Sequence, residues 1–512
     1  MLIKFWNRNR SNILLLAALL AYNSLFFAER FGLNLLLFFI LILSFQFLLF
    51  QESFRNPRVF ISAGLSLFLA IMVVWHNSAL SKWMFFISYA FTLGFILQPS
   101  IRMIGYSFLT AMSNFGKLPF EFFSWNRDEE RNPKRRKVSK SITLTLIPLT
   151  VGLLFFIIYR VANPIFAELT NSFWKTIEDW FTELFKHISF ARILFLLLGL
   201  GIISGLLIHR GYQLFKREDA QFANDIIRTR KRSLFGYISM DFKYEVISSL
   251  ILLVIVNIML FVLNYIDLKY VWINFQIPEG VSLKEMVHEG TEWLIVSIVL
   301  SMIVVIYVFR ANQNFYSKNK LVKLLAMAWM IQNMFLAISL CIRNNQYVNW
   351  HAMAYKRLGV YVFIALVFIG LITMIIKIQQ KKSVYYLLRI NFWSAYFIMS
   401  LTCVVNWDIY IAQYNVSFAN GSQLDTDFYL KLSPKAYPIV YENLDKIQAQ
   451  IDSHIPGTFD YLYFHNIEDF KRSLDYNRIA YLAENEKYTW ASFSRADAAA
   501  INYLKQKPAI NE

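Results

Sequence analysis

The chain has 512 residues, of which 57% are hydrophobic and only 17% charged, with a mean hydropathy of +0.42. That balance excludes an ordinary set of soluble domains, because the apolar residues gather into runs that can cross hydrocarbon about 30 Å thick at about 1.5 Å per residue. The formal net charge of +17 then reads as membrane topology and not as a nucleic-acid-binding surface, since the basic residues fall into alternate loops.

Taken in chain order, "MLIKFWNRNR" has a signal-like basic start, but the first apolar run carries no clear A-x-A cleavage site and a second span follows at once. It is expected to stay as an anchor. Eleven spans are expected, near 12–28, 31–50, 59–75, 80–98, 141–160, 191–209, 246–266, 292–309, 321–341, 357–377 and 384–405. Backbone groups in lipid must bond within their own segment, so each span is a helix. The short alternating segments of a β-barrel do not occur in the pattern. The expected fold class is all-α: a polytopic transmembrane bundle of about 11 spans with a small helical extramembrane C-terminal domain.

The division follows from these runs. Residues 1–98 make an N-terminal four-span region, 99–140 a cytoplasmic amphipathic and basic segment, 141–405 a seven-span core, and 406–512 a helical C-terminal domain. One orientation gathers Lys4, Arg8, Arg10, Arg55, Arg58, the stretch Arg127–Lys140, "RTRKR" at 228–232, Arg310, Lys318, Lys320, Lys381 and Lys382 on one side. That side is expected to be cytoplasmic. The chain is then expected to sit in a cytoplasmic membrane with its N-terminus inside and its C-terminal domain outside, and the basic loops to meet anionic lipid.

Between the fifth and sixth spans, Phe166, Leu169, Phe173, Ile177, Phe181 and Leu184 recur at three- and four-residue spacing, predicting an outer amphipathic helix near 164–187. The tail carries 14 acidic and 10 basic residues and three helical patterns. Ser433 with Pro434, and Asn466 with Glu468 and Asp469, mark two helix starts. A third pattern runs through "TWASFSRADAAAINYLKQK". Pro456-Gly457 separates the first pattern from the second.

Chemical fingerprints are missing. The sequence has no H-E-x-x-H, P-loop, G-x-S-x-G or C-x-x-C, its seven histidines are scattered, and its two cysteines, Cys341 and Cys403, both fall in apolar runs. No metal and no cofactor is expected. Polar residues inside spans are the best pointers, since a charge at the bilayer centre costs at least about 2.5 kcal/mol. They are mostly amides: Asn34, Gln46, Asn257, Asn264, Gln332, Asn333 and Asn391. Interhelical hydrogen bonds are the plain reading of these groups, and a transport path the alternative. Gly201 and Gly205 have the spacing for close helix packing.

Three stretches together resemble a family of bacterial multi-pass membrane proteins known only as a domain of unknown function. They are "ERFGLNLLLF" (29–38), "AYKRLGVYVF" (354–363) and "NWDIYIAQYNV" with the following "LDTDFYLKLSPKAYP". "WASFSRADA" near the end is similar to a further element of that family. In the second stretch Ala352, Met353 and Ala354 stand where the family has Gly-Leu-Thr. The resemblance implies the fold and a membrane location, and no reaction.

The expected function is a structural, sensory or accessory role in the cell envelope, with a membrane or envelope protein as partner and without catalysis. A transporter or channel, with the amides and Arg357 along its path, is the alternative. A membrane-embedded enzyme acting on lipid or glycan through Asp408 is a further one. Trp407 and Tyr410 suit the membrane interface, and Asn406, Asp408, Tyr414 and Asn415 are expected to form a joint between the spans and the outer domain.

Overall fold

The computed structural model describes residues 2–116, 158–176, 189–209, 214–226, 242–273, 290–316, 318–418, 426–453 and 466–508, with isolated residues between 148 and 179. Their regular structure is helical, with one isolated antiparallel bridge between Asp225 and Lys382. The helices are α1 (Leu2–Phe26), α2 (Leu33–Leu49), α3 (Pro57–His76), α4 (Ala79–Leu97), α5 (Ile104–Gly116), α6 (Pro164–Leu169), α7 (Phe190–Leu207) and α8 (Leu214–Gln221). There follow α9 (Phe242–Asp267), α10 (Gly290–Val308), α11 (Lys320–His351), α12 (Tyr355–Gln380) and α13 (Val384–Leu401). The C-terminal helices are α14 (Trp407–Val416), α15 (Phe428–Lys431), α16 (Tyr437–Glu442), α17 (Leu444–Asp452), α18 (Ile467–Asn485) and α19 (Arg495–Leu504).

Seven of the described helices are long and apolar enough to cross a membrane, and Arg10–Phe26, Leu33–Leu49 and Glu292–Val308 are shorter apolar ones. This makes the chain a helical membrane protein. The span expected near 141–160 lies mostly outside the described residues, as do 127–140, 228–232 and the half of the outer amphipathic helix with Ile177, Phe181 and Leu184. Phe166 and Leu169 fall in α6, a short helix capped by Asn163, whose Oδ1 accepts from the backbone N of Ile165 and Phe166, and Phe173 falls in a second helical stretch over 171–176.

The start signals are visible in the cap bonds. Asn56 accepts from Arg58 N at 2.9 Å before Pro57 opens α3, and the hydroxyls of Ser78, Ser383 and Ser494 cap α4, α13 and α19. Asn466 caps α18 as its sequence predicts. The first tail helix differs from expectation. Ser433 makes no side-chain cap, a 3-10 turn covers Pro434–Ala436, and the helix restarts at Tyr437 and again at Leu444. Pro438 lacks the N–H that would continue the ladder, which accounts for the restart at Tyr437. Helix α11 runs ten residues past the expected end at 341. At 32 residues it exceeds a bilayer crossing and carries Arg343, Asn344 and Val348 beyond the apolar run.

Three apolar clusters hold the bundle. The first gathers residues of α1–α5 with Ile203, Leu206 and Leu207 of α7. The second gathers α9–α13, and the third joins the C-terminal helices to Val348, Ala352 and Met353. In the second, α9 and α11 run parallel in fixed register. Asn257 Nδ2 donates to Leu325 O at 3.1 Å, and one heptad later Asn264 Nδ2 donates to Gln332 O at 3.1 Å, both across a 68-residue offset. Gln332 Nε2 returns a bond to Asn257 Oδ1 at 2.9 Å. A buried ion pair, Arg343 Nη2 to Asp267 Oδ1 at 2.5 Å, closes the same seam.

Candidate functional site

The turn between α1 and α2, the turn between α3 and α4, the link between α11 and α12, and the end of α13 all lie at one end of the bundle, and the C-terminal helices sit on them. The stretches that carry the family resemblance meet there.

Asn34, fully buried, braces the first turn from within. Its Oδ1 accepts from Gly32 N and Leu35 N at 2.8 Å each, and its Nδ2 donates to Leu25 O and Arg30 O at 2.9 Å. The outside of the same turn faces Thr489–Phe493. Glu29 accepts from Thr489 N at 3.1 Å and from the Ser492 hydroxyl, Arg30 N donates to Ser492 Oγ at 2.9 Å, and Leu33 N donates to Phe493 O at 2.9 Å. A Cβ on Gly32 would lie 2.5 Å from Ser492 O, so only glycine permits this approach. The Arg30 guanidinium reaches Asn485 Oδ1 and stacks over Tyr488, with Asp497 at 3.7 Å.

Asp497 is the hub of the second turn. It is 3% exposed and accepts from Tyr481 OH at 2.6 Å, Ser494 Oγ at 2.5 Å and Asn77 Nδ2 at 2.7 Å. Asn77 closes α3 in the left-handed conformation, a position suited to Asn, and its carbonyl accepts from buried Lys435 Nζ at 2.8 Å. Burial alone would raise the Asp497 carboxyl. The Lys435 ammonium and the hydrogen bonds of Ser494, Tyr481 and Asn77 outweigh it and hold it below the ordinary carboxylate range. Lys435 is pushed below the usual lysine range by its burial, with Asp497 and Asp408 opposing.

The third contact grips the α11–α12 link. Asn415, 1% exposed, closes two bonds on Met353: N to Oδ1 at 2.8 Å and Nδ2 to O at 3.0 Å. Arg357 Nη1 donates to His351 O at 2.6 Å and to Ala352 O, and its guanidinium lies over Tyr347. Asp408 accepts from Tyr355 OH and from Ser433 N at 3.0 Å. Asn406 caps α14 by accepting from Ile409 N at 3.5 Å, and Tyr414 packs beside Phe418. Ala352 has φ 62 and ψ −171, a region that only glycine enters without strain. It occupies the place where the resembling family carries Gly.

The remaining sequence-selected residues lie inside the bundle. Asn257, Asn264 and Gln332 form the α9–α11 ladder, Asn333 Nδ2 donates to Trp329 O at 2.8 Å within its own helix, and Asn391 Nδ2 joins α13 to Thr373 of α12 at 2.9 Å. Gln46 Nε2 donates to Leu206 O at 3.1 Å. A Cβ on Gly205 would meet the Phe115 ring at 2.4 Å and one on Gly199 the Tyr22 ring at 2.4 Å, whereas Gly201 faces open space. The close helix contacts of this segment are thus made by Gly199 and Gly205.

Asn77, Lys435, Tyr481, Asp497 and the Glu29–Ser492 contact were not selected from the sequence. The local signs were there, an Asn ending one apolar run and a Ser-x-x-Asp opening a helix, but nothing local tells that they meet. Among the described residues no group of three or more His, Cys, Asp or Glu could hold a metal ion. The arrangement is chemically a set of neutral and charged hydrogen bonds that lock one element to another.

The family described as "Domain of unknown function (DUF4153)" matches residues 13–443. No curated protein and no solved structure matches the chain.

Proposed function

We propose that this chain, which belongs to the DUF4153 family, is a non-catalytic multi-pass protein of the bacterial cytoplasmic membrane, with eleven spans, its N-terminus inside and its C-terminal helical unit outside. Its role in the envelope is structural, sensory or accessory, and the C-terminal unit acts as a cap locked onto the bundle. The observation that carries this reading is where the polar groups of the resembling stretches go. Among the described residues Glu29, Arg30, Asn34, Arg357, Asp408, Asn415 and Asp497 all hold partners within or across the turns of this end, which supports a structural use of these groups. The in-span amides Asn257, Asn264 and Gln332 bond to each other's helices and Arg357 is held by two carbonyls, which favours packing over a transport path.

Asp408→Asn separates a joint from a catalytic acid. In a joint, the amount of folded protein and any phenotype fall together, because an amide accepts less well from Tyr355 OH and Ser433 N. A lost phenotype at unchanged folded protein would sink the reading and favour the enzyme.

A further inference from the structure

At the opposite end of the bundle, three arginines converge beside three helix starts. Arg58 is the second residue of α3, Arg102 lies two residues before α5, and Arg389 sits in the second turn of α13. Arg58 and Arg102 therefore stand where a helix macrodipole is already positive, the reverse of the favourable placement for a cation. Arg58 Nη1 donates to Ile101 O at 3.2 Å and Trp393 Nε1, one turn beyond Arg389 on α13, donates to Arg102 O at 3.4 Å, so the same short segment joins both helices, and Arg389 and Arg102 act on Arg58 as like charges.

One carboxylate answers them. Asp219, 1% exposed, accepts from Arg102 N at 3.0 Å, Arg102 Nε at 3.2 Å, Met103 N at 3.3 Å and Tyr385 OH at 2.6 Å. It is consumed by Arg102 and by the start of α5. The other acid of α8, Glu218, acts on Tyr106. Among the described residues, the Arg58 side chain spends one donor on Ile101 O at 3.2 Å, and Arg389 touches only the Tyr386 ring, 5.9 Å from its centroid. A guanidinium has five N–H donors, so both Arg58 and Arg389 have donors with which to bond an anion.

The surroundings favour one class of anion. Two guanidinium forks match the oxygens of a phosphate, which accepts charge-assisted bonds from both. Phe60 is 76% exposed, Leu388 44% and Phe392 46%, so both arginines border an apolar surface of the kind that faces acyl chains. We propose that Arg58 and Arg389 together hold the phosphate of an anionic phospholipid headgroup at this end of the bundle. The assignment rests on reading the chain as membrane-embedded.

The test uses the full chain, purified and exchanged into bilayer nanodiscs of mixed phosphatidylglycerol and phosphatidylcholine, with retained lipid read by native mass spectrometry. The wild type retains phosphatidylglycerol in preference, and Arg389→Gln lowers that retention about tenfold, the loss expected for one charge-assisted pair. Arg389→Lys keeps part of it, and Arg472→Gln, an exposed pair at the other end, leaves it unchanged. Arg389 makes no hydrogen bond among the described residues, so its substitution keeps the fold. Equal retention by wild type and Arg389→Gln overturns the proposal, as does displacement of the lipid by inorganic phosphate. A chain that does not belong in a bilayer fails to retain either lipid, whereas loss of the headgroup preference alone contradicts only this site.

Discussion

The side-chain amide of Asn415 pairs with both backbone groups of Met353, at 2.8 and 3.0 Å, across 62 residues. It does for the α11–α12 link what a neighbouring strand would do in a sheet, and it does so in a fully buried place. Removing it leaves a backbone N–H and a C=O without partners at about 1–3 kcal/mol each. Asn415→Ala is therefore expected to destabilise by about 2–6 kcal/mol, and Asn415→Asp to fail at the C=O, which then faces a carboxylate. Thermal unfolding in detergent, with tryptic release of the C-terminal unit as a local readout, checks both.

Ala352 gives the opposite prediction. Its φ of 62 with ψ −171 costs a non-glycine residue about 1–3 kcal/mol, and the Arg357 and Asn415 contacts on either side hold it there. Ala352→Gly removes that strain against a smaller loss of about 0.5–1 kcal/mol from the freer unfolded chain. The melting temperature should rise. An unchanged or lower value would mean that the link does not adopt this conformation.

How much of this was legible beforehand differs between elements. The ends of α2, α3, α4, α7 and α10 fall within two residues of their apolar runs, since hydrocarbon length and cap residues act locally. The last ten residues of α11 are mostly polar and are held as helix by distant partners, Arg343 by Asp267 and Asn344 by Arg357 O, so composition could not reveal them. The candidate site was legible as pieces: Asn406, Asp408 and Asn415 stood out, and so did "ERFGLN" and "WASFSRADA". Their convergence was not, because Glu29 and Ser492 are separated by 463 residues and Asn77 and Asp497 by 420. Gly201 was selected by spacing alone. The helix rotates it to open space and turns Gly199 toward Tyr22.

Gly32 is the tightest point between the first turn and the C-terminal unit. Gly32→Ala drives a methyl group to within 2.5 Å of Ser492 O and 2.6 Å of Phe493 O, both backbone atoms that cannot swing aside. The 489–493 segment must lift, which breaks the bonds of Leu33 N and Glu29. Hydrogen exchange of residues 489–497 should accelerate by about tenfold or more, matching a local loss near 1.4 kcal/mol. Exchange in α9 and α11 should stay unchanged.

The Asp497 hub makes the cap acid-sensitive. Its carboxyl is held below the unfolded value of about 3.9, so the folded state binds fewer protons than the unfolded one. That contribution is fully present above about pH 4 and is lost as pH falls through the lower folded value. Glu29 shifts the same way, because the Ser492 and Thr489 bonds outweigh its desolvation. Protection of α18 and α19 should therefore fall below about pH 4, and Asp497→Asn should be less stable at neutral pH yet flatter in its pH dependence. An equally steep acid transition in the variant would assign the effect to other carboxylates.

The buried pair of Asp267 and Arg343 should behave as a unit. Removing one partner strands a charge and costs about 3–5 kcal/mol, whereas replacing both by apolar groups of similar volume costs far less. Asp267→Leu with Arg343→Met should therefore unfold at a higher temperature than either single variant.

In the proposed arrangement the C-terminal unit caps the end of the bundle opposite the basic loops, outside the cytoplasm. With Cys341 and Cys403 replaced, a single cysteine at Tyr476, 76% exposed on α18, tests it against a cysteine at Lys320 on the basic end. In intact spheroplasts a membrane-impermeant maleimide should label position 476 and leave position 320 unlabelled until lysis. Labelling at 320 with protection at 476 would put the C-terminal unit in the cytoplasm.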